Sequence, residues 1–236
     1  MNPNNPQPAW ISASTAETET RVRAFVKSVY AWMFGGLLLT ALASAWVISS
    51  PAMQHLILGN RMMMFGLIIV ELGLVVAISA GLRRFSPAAA ASMFLVYSLL
   101  NGLTLSIVLF AYTQASIVQA FVTAAGMFGA MSVYGMVTKR DLTKFGSFLF
   151  MGLIGIVISS VVNMFMHSPG LDFAISVIGV FLFVGLTAWD TQKIKSYATV
   201  GGSMQESLAI FGALALYLDF INLFLFLLRL FGNRRR

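Results

Sequence analysis

Cysteine is absent from this 236-residue chain, which excludes disulfides, thiolate metal sites and cysteine nucleophiles. Charge is scarce as well: 10% of residues are charged against about 25% in an ordinary soluble domain, while 58% are hydrophobic and the mean hydropathy is +0.86. A soluble globular fold is therefore excluded in favour of an all-α, polytopic membrane protein. The two histidines, His55 and His167, lack ligand spacing, so no zinc site is expected. No phosphate-cradling loop, nucleophile elbow or Ser/His/Asp set occurs, and the chain is not expected to be an enzyme or to hold a tightly bound cofactor. The net charge of +7 is spread over loops and ends without interleaved aromatics, which fits membrane topology and not nucleic-acid binding.

What is present is a series of apolar runs near the ~20-residue crossing length. They predict seven transmembrane helices at 29–50, 62–81, 88–111, 115–137, 145–166, 171–189 and 208–231. Residues 1–20, polar and carrying Pro3, Pro6 and Pro8, read as a disordered tail and not as a signal peptide. Ser50-Pro51, Gly59-Asn60, Ser86-Pro87 and Ser168-Pro169-Gly170 mark tight loops that leave no room for an extramembrane domain within 21–236. Arg21, Arg23, Lys27, Arg83, Arg84, Lys139, Arg140, Lys144, Lys193 and Lys195 would share one side of the membrane, which puts the N-terminus in the cytoplasm. The seventh run breaks that pattern: if it crosses fully, Arg234, Arg235 and Arg236 end up outside, and if it is re-entrant they stay in. A full crossing is favoured, because terminal charges are the weaker determinant of topology.

Three carboxylates interrupt the apolar runs. Asp219 lies near the middle of the last one, where a charge costs on the order of 3 kcal/mol unless it faces protein or water. Gly212, Ala215, Asp219 and Asn222 fall on one helical face, which predicts a helix held in the protein interior. Asp190 closes the sixth run, and two readings stand for it: a solvated interfacial residue beside Lys193, or a functional group. Glu71 sits among Leu67, Ile68, Leu74 and Val75, with a packing role and a place on an ion or proton path both open. Two carboxyls brought together in low dielectric cannot both ionise cheaply and share a proton, and a pair exchanging that proton near neutral pH senses pH. A nearby arginine favours the charged form, and Arg83 and Arg84 are the candidates, although ordinary loop charge also accounts for them.

At Gly185-Leu-Thr-Ala-Trp-Asp190-Thr-Gln192 and Ala215-Leu-Tyr-Leu-Asp219-Phe-Ile-Asn-Leu-Phe224, the chain resembles the Bax-inhibitor-motif membrane proteins, the bacterial branch most closely. The resemblance covers the chain from about Arg21 onward. It implies a C-terminal helix central to a seven-helix bundle, and an aspartyl pair of Asp190 and Asp219 near the cytoplasmic side. It further implies a latch at Arg83 or Arg84, an ion path along Glu71, and a pH-sensitive calcium leak in a bacterial inner membrane; Asn222 is expected on the same ion path. Ca²⁺ is then the permeant ion, touching Asp190 and Asp219 only transiently, since it takes about 6–8 oxygens. The expected partners are the bilayer and calcium, and the protein is expected to be a monomer. Two rival functions remain. One is a modulator of a membrane-bound AAA protease, engaged through residues 1–20. The other is a proton-coupled transporter of a small solute, for which Asn101, Thr104, Asn163, Thr187 and Asn222 offer little polar lining.

Overall fold

A computed structural model describes residues 9–81, 85–199 and 203–235, with no side-chain detail for 9–16, 58 and 203. Eight α-helices are found among the described residues: α1 (Ala9–Ser49), α2 (Pro51–Leu58), α3 (Arg61–Ala80), α4 (Pro87–Ala111), α5 (Gln114–Val137), α6 (Thr143–Met166), α7 (Pro169–Tyr197) and α8 (Ser203–Phe231). All except α2 are long and apolar enough to cross a membrane. The Ser-Pro pairs are helix starts: Ser50, Ser86 and Ser168 each cap the next helix by accepting a backbone N–H, and Pro51, Pro87 and Pro169 open it. Proline suits that position because its missing N–H would have no intrahelical partner. Asn60 and Thr113 cap α3 and α5 in the same way.

The structure differs from the sequence reading at three places. Helix α1 begins at Ala9, inside the segment expected to be a disordered tail. From Thr15 to Arg23 the chain has no proline, and Arg23 donates to Glu19 one turn back, so helix continues outward from the membrane span. The loop after α1 holds a short additional helix, α2. Helix α7 runs on to Tyr197, so Asp190 lies inside a helix, about two turns from its end, and does not close one.

Burial identifies the centre. The apolar window of α8 is 72% buried, that of α7 50%, and those of α3 and α6 only 17% and 11%. Helix α8 packs against α1, α4, α5 and α7, while α3 rests mainly on α4 and α6 on α7. Four helices therefore line the central one and two stand outside them. Small residues permit this: a Cβ on Gly212 would meet Ile194 of α7 at 2.9 Å and Val29 of α1 at 3.4 Å, and Ala213 has no exposed surface. Leu216, Tyr217, Leu223 and Leu228 complete a core stripe on the same helix.

Helix α8 also traverses the bundle. It starts near α1 and the end of α7, where Gln205 reaches Ala198 O, and finishes beside the α4–α5 turn. There Thr113 N donates to Asn233 O at 3.0 Å and Arg235 N to Ala111 O at 2.8 Å. The C-terminal segment thus lies at the opposite end of the bundle from the loop holding Lys139 and Arg140.

Candidate functional site

Helices α7 and α8 pack together along most of their length, and this contact brings Asp190 and Asp219 side by side with their carboxyls within hydrogen-bonding reach. Two close approaches set the register. Gly212 meets Ile194 on one side of the pair, and Gly179 meets the Phe226 ring on the other, where an added Cβ would come within 2.7 Å. Asp219 is 3% exposed, whereas Asp190 is only half-buried. Asp219 Oδ2 is buried with no donor among the described residues. A buried acceptor without a donor is costly, and one proton shared with the adjoining Asp190 carboxyl relieves that cost. The arrangement therefore favours a single proton held between two carboxyls.

The residues around Asp190 fix its helix in place. Trp189 lies against Gly146 of α6, where a Cβ would come within 2.7 Å of the indole ring. Gln192 is bonded twice to the α5–α6 loop, accepting from Leu142 N at 2.8 Å and donating to Arg140 O at 2.8 Å. Lys195 Nζ donates to Met136 O, and Lys193 Nζ sits 4.6 Å above the Trp189 ring. Gly135 of α5 lies against the backbone of Ala188. The Trp-Asp-Thr-Gln sequence is thus a docking patch that positions the carboxylate between its two ends.

Glu71 belongs to a second, separate network. It is buried, accepting from Asn101 Nδ2 at 3.2 Å and Thr104 Oγ1 at 2.9 Å. Asn101 Oδ1 in turn accepts from the Tyr217 hydroxyl at 3.0 Å, and Tyr217 shares a 2.6 Å hydrogen bond with Thr40 Oγ1. Helices α3, α4, α8 and α1 are thereby tied together through polar side chains. Tyr217 joins this network to the helix that carries Asp219, a link that sequence reasoning missed. The available signal was a tyrosine hydroxyl two positions before Asp219 in an apolar run, with Asn101 and Thr104 one turn apart on another.

Asn222 turns its amide to Leu218 O of its own helix at 2.8 Å and is half-buried. Arg83 and Arg84, expected as the latch, lie outside the described residues. Among the described residues no lysine or arginine forms an ion pair with Asp190 or Asp219, and no three acidic or histidine side chains gather as a metal site. Two carboxyls alone fall far short of the oxygens a resident Ca²⁺ requires. Brief contact with a passing cation is what such a pair can offer.

The profile of the family described as "Inhibitor of apoptosis-promoting Bax1" matches residues 22–236. The inner membrane protein YbhL of Escherichia coli K12 is 49% identical over 228 residues, covering 95% of this chain and 97% of its own length. An uncharacterized protein of Borreliella burgdorferi is 45% identical over 214 residues, or 89% and 92% of the two chains. One from Deinococcus radiodurans is 43% identical over 227 residues, or 95% and 96%.

Proposed function

The chain belongs to the family of inhibitors of apoptosis-promoting Bax1, and from that premise we propose that it is a pH-sensitive calcium leak gated by protonation of the Asp190–Asp219 pair. It is a multi-pass membrane protein, and its relative in Escherichia coli is named an inner membrane protein, the location we assign here. The lysine-rich and arginine-rich loops at the α1 end face the cytoplasm in this reading, with the N-terminus.

The observation that carries the proposal is the contact of two carboxyls from neighbouring helices, one of them buried in the central helix with an oxygen lacking a donor. In a low-dielectric interior the charge of such a pair changes with one proton, and that change bears directly on how α8 sits against α7. Protonation removes the negative charge that would hold a cationic side chain at the pair. The central helix then shifts, and cations pass along Asp219 and Glu71. Coordination stays incomplete, which suits conduction, because an ion must leave as readily as it enters.

The test is calcium influx into proteoliposomes scanned from about pH 5 to pH 8. Wild-type flux rises toward acid, and both Asp219→Asn and the double variant Asp190→Asn/Asp219→Asn lose that dependence. A double variant whose flux still follows pH in the wild-type manner sinks the mechanism.

A further inference from the structure

The end of the bundle remote from the lysine-rich loops carries cations that topology does not call for. Because α8 crosses, Arg229, Arg234 and Arg235 arrive at the end of the bundle that carries the turns at 50–60, 111–113 and 167–168, on the side opposite the short loops that carry Lys139 and Arg140. Charge asymmetry between the two sides normally disfavours such a placement. Nor is the segment loosely held. Tyr112 and Arg234 pair as an antiparallel bridge, flanked by the backbone bonds of Thr113 and Arg235, and Asn233 N donates to Ser116 Oγ at 2.9 Å.

This clamp sets Arg234 beside Tyr112, with its guanidinium 5.9 Å from the ring centroid. Arg234 borders a predominantly polar cavity of about 260 Å³, shared with Arg229, Asp172, Asn163 and Ser160. Asp172 is the one carboxylate there, and it pairs loosely with Arg229 at 3.9 Å, with both side chains nearly half exposed. Such a pair is weak. Two guanidiniums against one carboxylate leave the cavity positive. Asn163 accepts from Ser168 N through Oδ1, so its amide hydrogens remain as donors.

The height and surroundings of the cavity identify its ligand. Asp172 lies in the first turn of α7, Asn163 near the end of α6 and Arg229 in the last turn of α8, so the cavity sits where the membrane spans end. Met164, Phe165, Phe173 and Phe231 around it are exposed and apolar, the surface that meets lipid chains. We propose that this cavity binds the phosphodiester headgroup of an anionic phospholipid. The phosphate lies between Arg229 and Arg234, whose planar forks match its oxygens. Ser160 and Asn163 take the polar remainder of the headgroup, and the acyl chains run down the apolar face of α6 and α7. The bound headgroup neutralises the misplaced charge and fastens the outer end of the central helix.

The experiment uses the purified full-length protein in detergent, titrated with phosphatidylglycerol, phosphatidylcholine or inorganic phosphate. Native mass spectrometry reads binding and thermal melting reads stabilisation. Phosphatidylglycerol binds and raises the melting temperature, and phosphatidylcholine binds at least about tenfold more weakly. Arg229→Gln and Arg234→Gln each weaken phosphatidylglycerol by about five- to tenfold, the effect of one lost arginine–phosphate contact. Arg234→Gln lies outside the spans and keeps its backbone bonds, so its unliganded melting stays near wild type. Lys139→Gln/Arg140→Gln, at the other end, binds as wild type does. Three outcomes each overturn the proposal: unchanged phosphatidylglycerol binding by Arg234→Gln, an equal loss in the Lys139/Arg140 variant, or a full melting shift from inorganic phosphate alone.

Discussion

Tyr217→Phe isolates the polar tie between the central helix and its neighbours. Tyr217 has no exposed surface, and its ring packs edge-on against Phe94 and Tyr97 at 5.8 and 5.7 Å between centroids. Phenylalanine preserves those contacts and removes only the hydroxyl. Thr40 keeps the carbonyls of Ser98 and Gly36 as acceptors, but Asn101 Oδ1 loses its donor. An interhelical hydrogen bond in a membrane protein averages about 0.6 kcal/mol with a maximum near 1.7, and an orphaned buried acceptor costs about 1–3 kcal/mol. The expected destabilisation is about 1–2 kcal/mol, and at about 2–4 °C per kcal/mol for a chain of this size the melting midpoint falls by about 2–8 °C. Purified protein in detergent, followed by tryptophan fluorescence, provides the measurement. Tyr134→Phe, at an exposed ring, stays within about 0.5 kcal/mol of wild type. In a double-mutant cycle with Thr40→Val, the two changes combine to less than their sum. A Tyr217→Phe protein that melts with the wild type would show that the hydroxyl bonds do not hold α8, and would refute the reasoning.

Gly102→Ala drives a Cβ to 2.5 Å from Thr40 O and 2.6 Å from Ala43 Cβ, so α1 and α4 must part and stability drops by about 1–3 kcal/mol in the same melting assay. Gly126→Ala makes the same chemical change into open space and is expected to be neutral or to stabilise by up to about 1 kcal/mol through helix propensity. Glu71→Gln keeps an acceptor for Asn101 or Thr104, whereas Glu71→Leu leaves Asn101 Nδ2 without one. The leucine variant therefore melts lower than the glutamine variant. Hydrogen bonds from the Thr143 side chain and backbone N–H hold the exposed Asp141 carboxyl below the usual aspartate range. Its contribution is present above the ordinary aspartate value and disappears as pH falls through the lowered one. NMR titration of Asp141 shows the low midpoint, and Thr143→Ala moves it up.

The seven spans were legible because crossing a bilayer demands long apolar runs, and the Ser-Pro pairs because capping chemistry is local. Asp190 and Asp219 were legible as isolated carboxyls in apolar surroundings. Their contact was implied by the family resemblance and not by any local pattern, since it depends on the register between α7 and α8, which Gly212, Ile194, Gly179 and Phe226 set through packing. The outward extension of α1 was missed because hydropathy marks where the bilayer begins and not where helix begins. A Cβ on Gly126, Gly129 or Gly155 would meet nothing within 4 Å, whereas one on Gly152 would meet Leu182 at 2.8 Å. A glycine shows that a backbone can be approached closely, and only the tertiary arrangement decides whether it is. Gly102 and Gly135, which do meet backbone, had no distinguishing local sequence.

The burial of α8 has a consequence for how the protein is made. A ribosome releases the chain from its N-terminus, so the helix that fills the middle emerges after the spans that surround it. Until it does, the other spans enter the membrane around a missing axis, with Thr40, Asn101 and Asp190 deprived of their α8 partners. Assembly is thus held open until α8 is made, and that helix completes it by entering between spans already in place. The pairing of residues 233–235 with the α4–α5 turn then closes the structure behind it. A ribosome that stops short releases a bundle without its centre, with its polar groups uncovered for quality-control proteases to find.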